Sequence, residues 1–514
     1  MGRLMLARSA EEALEQLFDG SSSDGEDHGT VDGVHVAGLV DGRIPPAIVY
    51  ELDNYVKKKG WSLAKRLLQC DEQEDKDTGL LVQQTLAAFE GKHFKLVANN
   101  ASNMTRKTFL LLKKYGSWPS MSCRDVYVLG QLLQAVAALV DEYGTQGGSK
   151  EDESLRTAVR CIRHADRAFI LGGSNRLVSL LHALVGPKAK IQWKEMQRSY
   201  PLERQGVFPT TLQDGPSIPL LDPQRTVQVL PCPTVEEFEA KCFRKDGKVP
   251  HVLSNVVSPE HGWEPAIKNW NNLKYFRSEH GHRLVPIEVG RFPTFVGNKG
   301  DKEAESAELH CWKESLVSID EFCEAYMLPS LCRHVDSERD TNHTKRRLQN
   351  VYDTLPHVQD VGYLAQHNLF DQIREMKQEF KVPPYCNSFG RSLIKSNAWF
   401  GTDGTCTPLH FDSYDNFLTQ VAGFKYVRLY DSSQTKYLYQ NTGASEEGSK
   451  ASAGAQGNLS PVRVEYPDVQ KHPKFTSALF TECILAPGDM LFIPQGTWHY
   501  VRSLSPSFSV NFWF

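Results

Sequence analysis

The spacing of apolar residues changes period once along the chain, and that change divides the protein. From about Pro45 to Gly186 apolar residues recur at helical intervals, and strand-like alternation is nearly absent. Ser174 is a suitable N-cap for NRLVSLLHALV, where Leu177, Leu180, Leu181 and Leu184 share one stripe and Gly186 follows as the stop. From Thr226 onward the texture becomes short β-type runs separated by turns, with Trp and Phe frequent. HVLSNVV, HRLVPIEVG, SNAWFG, NFLTQVAG, KYVRLY, MLFIP, HYVRS and SFSVNFWF are eight strand candidates. Eight antiparallel strands in two facing sheets make a jelly roll, or cupin, whose open mouth suits a metal and small ligands. The expected fold class is therefore α+β and multidomain, an N-terminal all-α domain followed by a C-terminal double-stranded β-helix.

Composition supplies the boundaries. Residues 1–44 include the acidic, flexible run GSSSDGEDHGTVDG, 45–187 form the helical domain, and 188–225, richer in Pro, Gln and Asp, reads as a linker. Residues 226–514 are the β domain, interrupted at 441–458 by the small, polar NTGASEEGSKASAGAQGN, a mobile insertion. Internal repeats are not evident. A length of 514 residues suggests about three domains, and 40% apolar content is enough for a substantial core. A net charge of −4 gives no global basic field, so strong direct nucleic-acid binding is not expected. Eleven cysteines without a C-x-x-C pair suit free thiols in a reducing compartment.

The start MGRLMLARSAEEALEQLF has a very short apolar run closed by Arg8, unlike a signal peptide. The most apolar helical run, VYVLGQLLQAVAALV at 126–140, has 15 residues and two Gln and reads as too short for a membrane span. These features predict a soluble intracellular protein, in the nucleus, the cytoplasm or both.

Candidate chemistry concentrates in TCTPLHFDSYDNFLTQVAGFKYVRLYD and LAPGDMLFIPQGTWHYV. His410 and Asp412 lie two apart in an extended run, so both side chains leave one face. A Pro-Gly-Asp turn, a short apolar strand and a second turn then deliver His499 at the start of another strand. Two His and one carboxylate on one side of a metal leave open positions opposite, as in non-heme Fe(II) oxygenases. The bare H-x-D pattern is weak, since it occurs three times. His164 and Asp166 fall in a helix, where residues two apart diverge around the axis. His334 and Asp336 fall in a polar stretch with no apolar wall, which reads as a solvated loop.

Taken with VGYLAQHNLFDQI, NAWFG, TPLHFD, NFLTQVAGFKYVRLY and FIPQGTWHYVRSLSPSFSVNFWF, these segments resemble the Jumonji-C (JmjC) oxygenases, which depend on Fe(II) and 2-oxoglutarate. The likeness covers nearly all of 226–514. It is strongest to the small group variously called Jumonji-domain-containing protein five, lysine demethylase eight and arginyl hydroxylase. The resemblance implies His410, Asp412 and His499 as metal ligands and catalytic residues. It further implies Lys425, Thr407 and Tyr363 as contacts to the far carboxylate of 2-oxoglutarate, Asn416 as another co-substrate contact, and Trp399 as an aromatic wall. Such a carboxylate needs a cation and hydroxyl donors, and the turn Ala422-Gly423 is expected to fold the strand of Lys425 back beside the one bearing Asp412. An ordinary solvated lysine and a core tyrosine are the plainer readings of Lys425 and Tyr363.

By the same resemblance Glu288, Trp312 and Gln366 fall at the substrate pocket, where a carboxylate beside an aromatic face would suit a guanidinium. An outward Glu288 and a core Trp312 are equally compatible with the sequence. Two departures from the family pattern are Phe411, where relatives carry a polar residue, and Asn511, where they carry a small hydroxyl residue. The stretch from Pro329 to His357, with Lys345, Arg346 and Arg347, reads as an extra loop near the entrance.

The implied activity is hydroxylation of a protein side chain, with arginine favoured, using Fe(II), with 2-oxoglutarate and O2 as co-substrates. The implied partner is a protein or peptide, such as a histone or another basic protein, and no membrane. A histone lysine demethylase with the same iron chemistry, a catalytically silent cupin acting as a binding module, and a cupin holding zinc or manganese remain the competing readings.

Overall fold

A computed structural model describes residues 46–69, 73–115, 120–144, 157–173, 176–198, 206–212, 218–244, 247–291, 313–333, 360–441 and 457–514. The acidic N-terminal segment, the Lys345–Arg347 loop with its H-x-D pair, Trp312 and most of the 441–458 insertion lie outside them. The chain divides into two compact units, one of residues 1–202 with 278–285 and one of 203–277 with 286–514.

In the first unit the helices are α1 (Pro46–Tyr55), α2 (Trp61–Leu68), α3 (Gln73–Glu90), α4 (Phe94–Tyr115), α5 (Met121–Gly144), α6 (Thr157–Gly172) and α7 (Arg176–Arg198). Successive helices from α2 to α7 pack on one another, and α1 packs against α7. Their apolar stripes meet in one core that includes Leu86, Met104, Leu132, Ile162 and Leu181. At Gly130 an added Cβ would sit 2.7 Å from Thr105 Cγ2, so the close approach of α4 and α5 requires glycine.

Two expectations fail here. The last helix does not stop at Gly186. Leu177, Leu181, Val185, Ala189 and Trp193 form a buried stripe at intervals of four that runs through Gly186-Pro187, with Pro187 on the exposed side. Packing on that stripe outweighs the missing proline N–H. The apolar helix α5 reaches 24 residues, long and apolar enough for a bilayer, and most of it is buried within the unit as a core helix.

The second unit contains the strands β1 (Val229–Pro231), β2 (His251–Ser254), β3 (Leu284–Arg291), β4 (Lys313–Ser318), β5 (Asp360–His367), β6 (Lys395–Gly401), β7 (Cys406–Phe411), β8 (Asn416–Ala422), β9 (Lys425–Tyr430), β10 (Thr481–Leu485), β11 (Met490–Ile493), β12 (Trp498–Ser503) and β13 (Ser507–Trp513). A nine-stranded sheet has the order β1-β2-β11-β8-β13-β6-β5-β3-β4, and a four-stranded sheet the order β10-β9-β12-β7. The eight strands β6 to β13, four in each sheet, make the expected double-stranded β-helix.

All eight candidates are strands, yet two of them, β2 and β3, extend the large sheet outside the roll. Their places in the roll are taken by β7, the extended run that carries His410, and by β10, which has no clear alternation. The stretch expected as a linker is also partly packed. Leu212, Ile218 and Leu221 lie against a cluster with Leu409, Tyr426 and Trp498, because this unit has apolar surface to cover there.

The link between β8 and β9 is a corner rather than a hairpin. Strand β8 pairs with β11 and β13, and β9 with β10 and β12, so the chain changes sheets at Ala422-Gly423. Gly423 has φ +72°, and a Cβ there would collide with the Pro506 carbonyl oxygen. Lys425 is consequently separated from the Asp412 strand by β12, and reaches the same interior from across the small sheet.

Candidate metal centre and its cavity

His410 on β7 and His499 on β12 are direct register partners, with ring centroids 4.1 Å apart and planes at 53°. Asp412 follows the end of β7. Its Oδ1 lies 3.8 Å from His410 Nε2 and its Oδ2 3.8 Å from His499 Nε2. The three ligand atoms are mutually within 4.8 Å. Each imidazole turns its other nitrogen to a main-chain carbonyl two residues earlier, His410 Nδ1 to Pro408 O at 2.8 Å and His499 Nδ1 to Thr497 O at 3.0 Å. Those contacts make Nδ1 the donor and turn Nε2 toward Asp412, which is the nitrogen left for a metal. Burial, and then the neighbouring His499, lowers the His410 pKa to about 4.

Local structure explains how this corner forms. The β7–β12 pairing shifts register between His499 and Val501, so Thr407 and His410, three apart, both line the interior. The turn before His499 is tied to the Asp412 corner, because Gly496 N–H donates to Asp412 O at 3.0 Å and Gln495 N–H to Asp415 Oδ1 at 2.9 Å. Lys248 closes this anchor with a 2.6 Å ion pair to Asp415. Asp415 went unremarked in the sequence, where nothing separates it from a surface loop acid.

The triad opens into a cavity of about 420 Å³, counting its open mouth, which is also lined by Tyr363, Trp399, Thr407, Asn416 and Lys425. Lys425 is 1% exposed. Its Nζ donates to Tyr363 Oη at 3.4 Å and lies 5.5 Å and 6.0 Å from the Tyr363 and Trp399 ring centroids. Among the described residues no carboxylate pairs with it, and burial alone lowers its pKa to about 7. Tyr363 is likewise held well above the usual phenol range by burial, against a hydrogen bond with Thr407. The solvated-lysine reading is thereby excluded, and Tyr363 is both buried and pocket-lining.

Asn416 directs its amide at Asp412 Oδ2, 3.4 Å away. Asn511, which appeared in the sequence as a mere departure, joins Trp399 to Asn416. Phe411, the other departure, packs edge-on against Trp498, with centroids 4.8 Å apart. Gln366, at φ +49°, reaches the cavity from the end of β5. Glu288 does not line the cavity. It is the register partner of Tyr363 across β3 and β5, half-buried, with its carboxyl pushed up by burial and by Glu314. Of the other H-x-D copies, Asp166 is fully buried in α6 and bound to Arg283, with no part in a metal cluster among the described residues. Cys123, Cys161, Cys232, Cys242, Cys323, Cys386, Cys406 and Cys483 are free.

A double-stranded β-helix that turns two imidazoles and a carboxylate toward its open mouth defines a cupin-type protein with a cluster that could hold a metal ion. Residues 236–514 match the cupin-like domain family. The chain is 29% identical over 506 residues to JmjC domain-containing protein F of Dictyostelium discoideum, covering 90% of this chain and 97% of that protein. It is 32% identical over 408 residues to lysine-specific demethylase 8 of Danio rerio, covering 77% and 83%. Jumonji C domain-containing protein 5 of Drosophila melanogaster is 32% identical over 287 residues, covering 55% and 58%. The chain belongs to the JmjC oxygenase family of cupin-like proteins. Members in general depend on Fe(II) and 2-oxoglutarate, and the family includes lysine demethylases.

Proposed function

We propose that the protein is an Fe(II)- and 2-oxoglutarate-dependent dioxygenase that hydroxylates an arginine side chain in a protein substrate. The observation that carries the first half is Lys425, a buried ammonium with no carboxylate partner among the described residues, which shares one cavity with the His410-Asp412-His499 cluster. An unpaired buried cation costs several kcal/mol in a folded protein, and an incoming carboxylate relieves that cost. The residues fit the implied groups. Two imidazoles that turn Nδ1 to main-chain carbonyls, together with one carboxylate, suit Fe(II), while Lys425, Tyr363 and Thr407 offer one charge-assisted and two hydroxyl contacts to the remote end of 2-oxoglutarate.

When bound, iron with 2-oxoglutarate and O2 supplies oxidation of a C–H bond coupled to decarboxylation of 2-oxoglutarate to succinate. The protein's own residues bind, orient and exclude water. Leu418, Ile493 and Val501 give the cavity apolar walls between its charged ends.

The arginine assignment rests on Glu288 and on the resemblance. Glu288 shares the sheet face of Tyr363, and its carboxyl, raised by burial and by Glu314, gains from a cation placed beside it. A planar guanidinium can donate a paired fork of N–H groups to both carboxylate oxygens, which a methylated ammonium cannot. Lysine demethylation is the second reading, supported by the names of the lysine-specific demethylase relatives. The deciding experiment offers purified protein with Fe(II) and 2-oxoglutarate an arginine peptide set beside mono- and dimethyl-lysine histone peptides. Gain of one oxygen on arginine supports hydroxylation, whereas formaldehyde release with loss of methyl mass selects demethylation.

A further inference from the structure

We propose that Trp399 is a positioning residue for the metal-binding carboxylate, acting through a one-directional chain of amides from Trp399 to Asn511 to Asn416 to Asp412. The inference deepens the iron-binding reading above and rests on it. Trp399 Nε1–H donates to Asn511 Oδ1 at 2.9 Å, Asn511 Nδ2–H to Asn416 Oδ1 at 3.2 Å, and Asn416 Nδ2–H to Asp412 Oδ2 at 3.4 Å. Asn511 and Asn416 are 1% and 6% exposed, so neither amide has bulk water as an alternative partner.

The direction of the chain follows from its first member. An indole nitrogen only donates, so Asn511 must present its oxygen to Trp399 and its NH2 to Asn416. Asn416 must then present its oxygen to Asn511 and its own NH2 to Asp412. Turning either amide over would set donor against donor or oxygen against carboxylate. One N–H thus fixes two side chains whose orientation is otherwise free.

The framework is rigid. Trp399 on β6 has Ser509 as register partner, two residues from Asn511, and Asn511 on β13 has Leu418 as register partner, two residues from Asn416 on β8. The chain therefore crosses three adjacent strands diagonally on the interior face of the large sheet. At its end Asp412 Oδ2 accepts the Asn416 amide hydrogen and lies 3.8 Å from His499 Nε2, while Oδ1 lies 3.8 Å from His410 Nε2. The consequence is a carboxylate held against rotation, with each oxygen kept toward its own imidazole.

The test uses the metal-free full chain titrated with Co2+, in wild type, Trp399→Phe, which keeps the ring, Asn511→Leu, which keeps the volume, and the double variant. Expected are a loss of Co2+ affinity of about tenfold in each single variant, no further loss in the double variant, and an unchanged melting temperature of the metal-free protein. In selectively 15N-Asn-labelled metal-free protein, the Asn416 side-chain amide should exchange slowly in wild type and fast in both single variants. Unchanged Co2+ affinity, additive losses, or an Asn416 amide indifferent to Trp399→Phe would overturn the relay. Failure of the wild type to bind Co2+ would sink the iron reading instead, and the exchange measurement, made without metal, still decides the relay.

Discussion

His410 and His499 face each other as register partners on adjacent antiparallel strands, and each is locked by a hydrogen bond to the carbonyl two residues before it. The pair is thus preformed by main-chain pairing, with Asp412 alone arriving from a loop. Substituting Ala for any of the three should abolish turnover and leave the melting temperature of the metal-free protein close to wild type, because a ligand is lost from a scaffold that the sheets hold. Near-normal 2-oxoglutarate consumption by any one variant would remove the triad assignment.

Lys425 should give the co-substrate requirement a distinctive pH dependence. Its pKa falls from 10.5 to about 7 through burial, so in that window the folded protein holds fewer protons than the unfolded chain. Stability of the ligand-free protein should accordingly rise with pH from about 7 toward 10.5, with the full burial cost present below it. Binding of 2-oxoglutarate requires the charged form, so its KM should climb above neutral pH by up to about tenfold per unit. Lys425→Ala should raise that KM about ten- to a hundredfold, spare iron affinity, and flatten the pH profile. An unchanged KM would mean that the charge serves another purpose.

Much of this site was legible because strand alternation and turn chemistry are local. The H-F-D spacing, the Pro-Gly-Asp turn and the strand before His499 all appear within a few residues of the ligands. What escaped depends on strand order. Nothing adjacent in sequence to Gly423 says that the chain there changes sheets, so Lys425 was placed beside the wrong strand. Asn511 meets Trp399 and Asn416 only because β13 inserts between β6 and β8. In the helical unit, Gly186-Pro187 read as a stop, although the stripe from Leu177 to Trp193 continues through it. There local propensity was overridden by burial.

Glu288 provides a separate test of substrate class. Its side chain lies on the face of Tyr363 but outside the cavity lining, and the proposed arginine reading sets it against the substrate rather than 2-oxoglutarate. Glu288→Ala should lower kcat/KM for an arginine peptide by about tenfold or more, the scale of one charge-assisted contact. Uncoupled 2-oxoglutarate decarboxylation should stay unchanged. Equal loss in both assays would instead assign Glu288 to holding Tyr363.

Asp166 offers a prediction far from the chemistry. It is 0% exposed and is held in the first unit by Arg283, whose Nη2 lies 2.7 Å from Oδ1 and whose Nε lies 3.1 Å from Oδ2. Leu284 N–H adds a bond of 3.0 Å and His182 Nε2 lies 3.0 Å from Oδ1. Burial pushes this carboxyl up, but the Arg283 guanidinium and the hydrogen bonds of His182 and Arg283 outweigh it and hold the pKa well below 3.8. A carboxyl lowered on folding stabilises above its unfolded pKa, so this contribution should be intact at neutral pH and fade as pH falls below 3.8. Asp166→Asn leaves a buried guanidinium uncompensated and should cost about 3–5 kcal/mol. Urea unfolding followed by helical circular dichroism reads that loss directly. Because residues 278–285 belong to the helical unit, Arg283→Met should produce a comparable loss, and the double replacement Asp166→Leu with Arg283→Met should recover most of it. A double variant as unstable as the two single losses summed would show that the pair does not act as a unit.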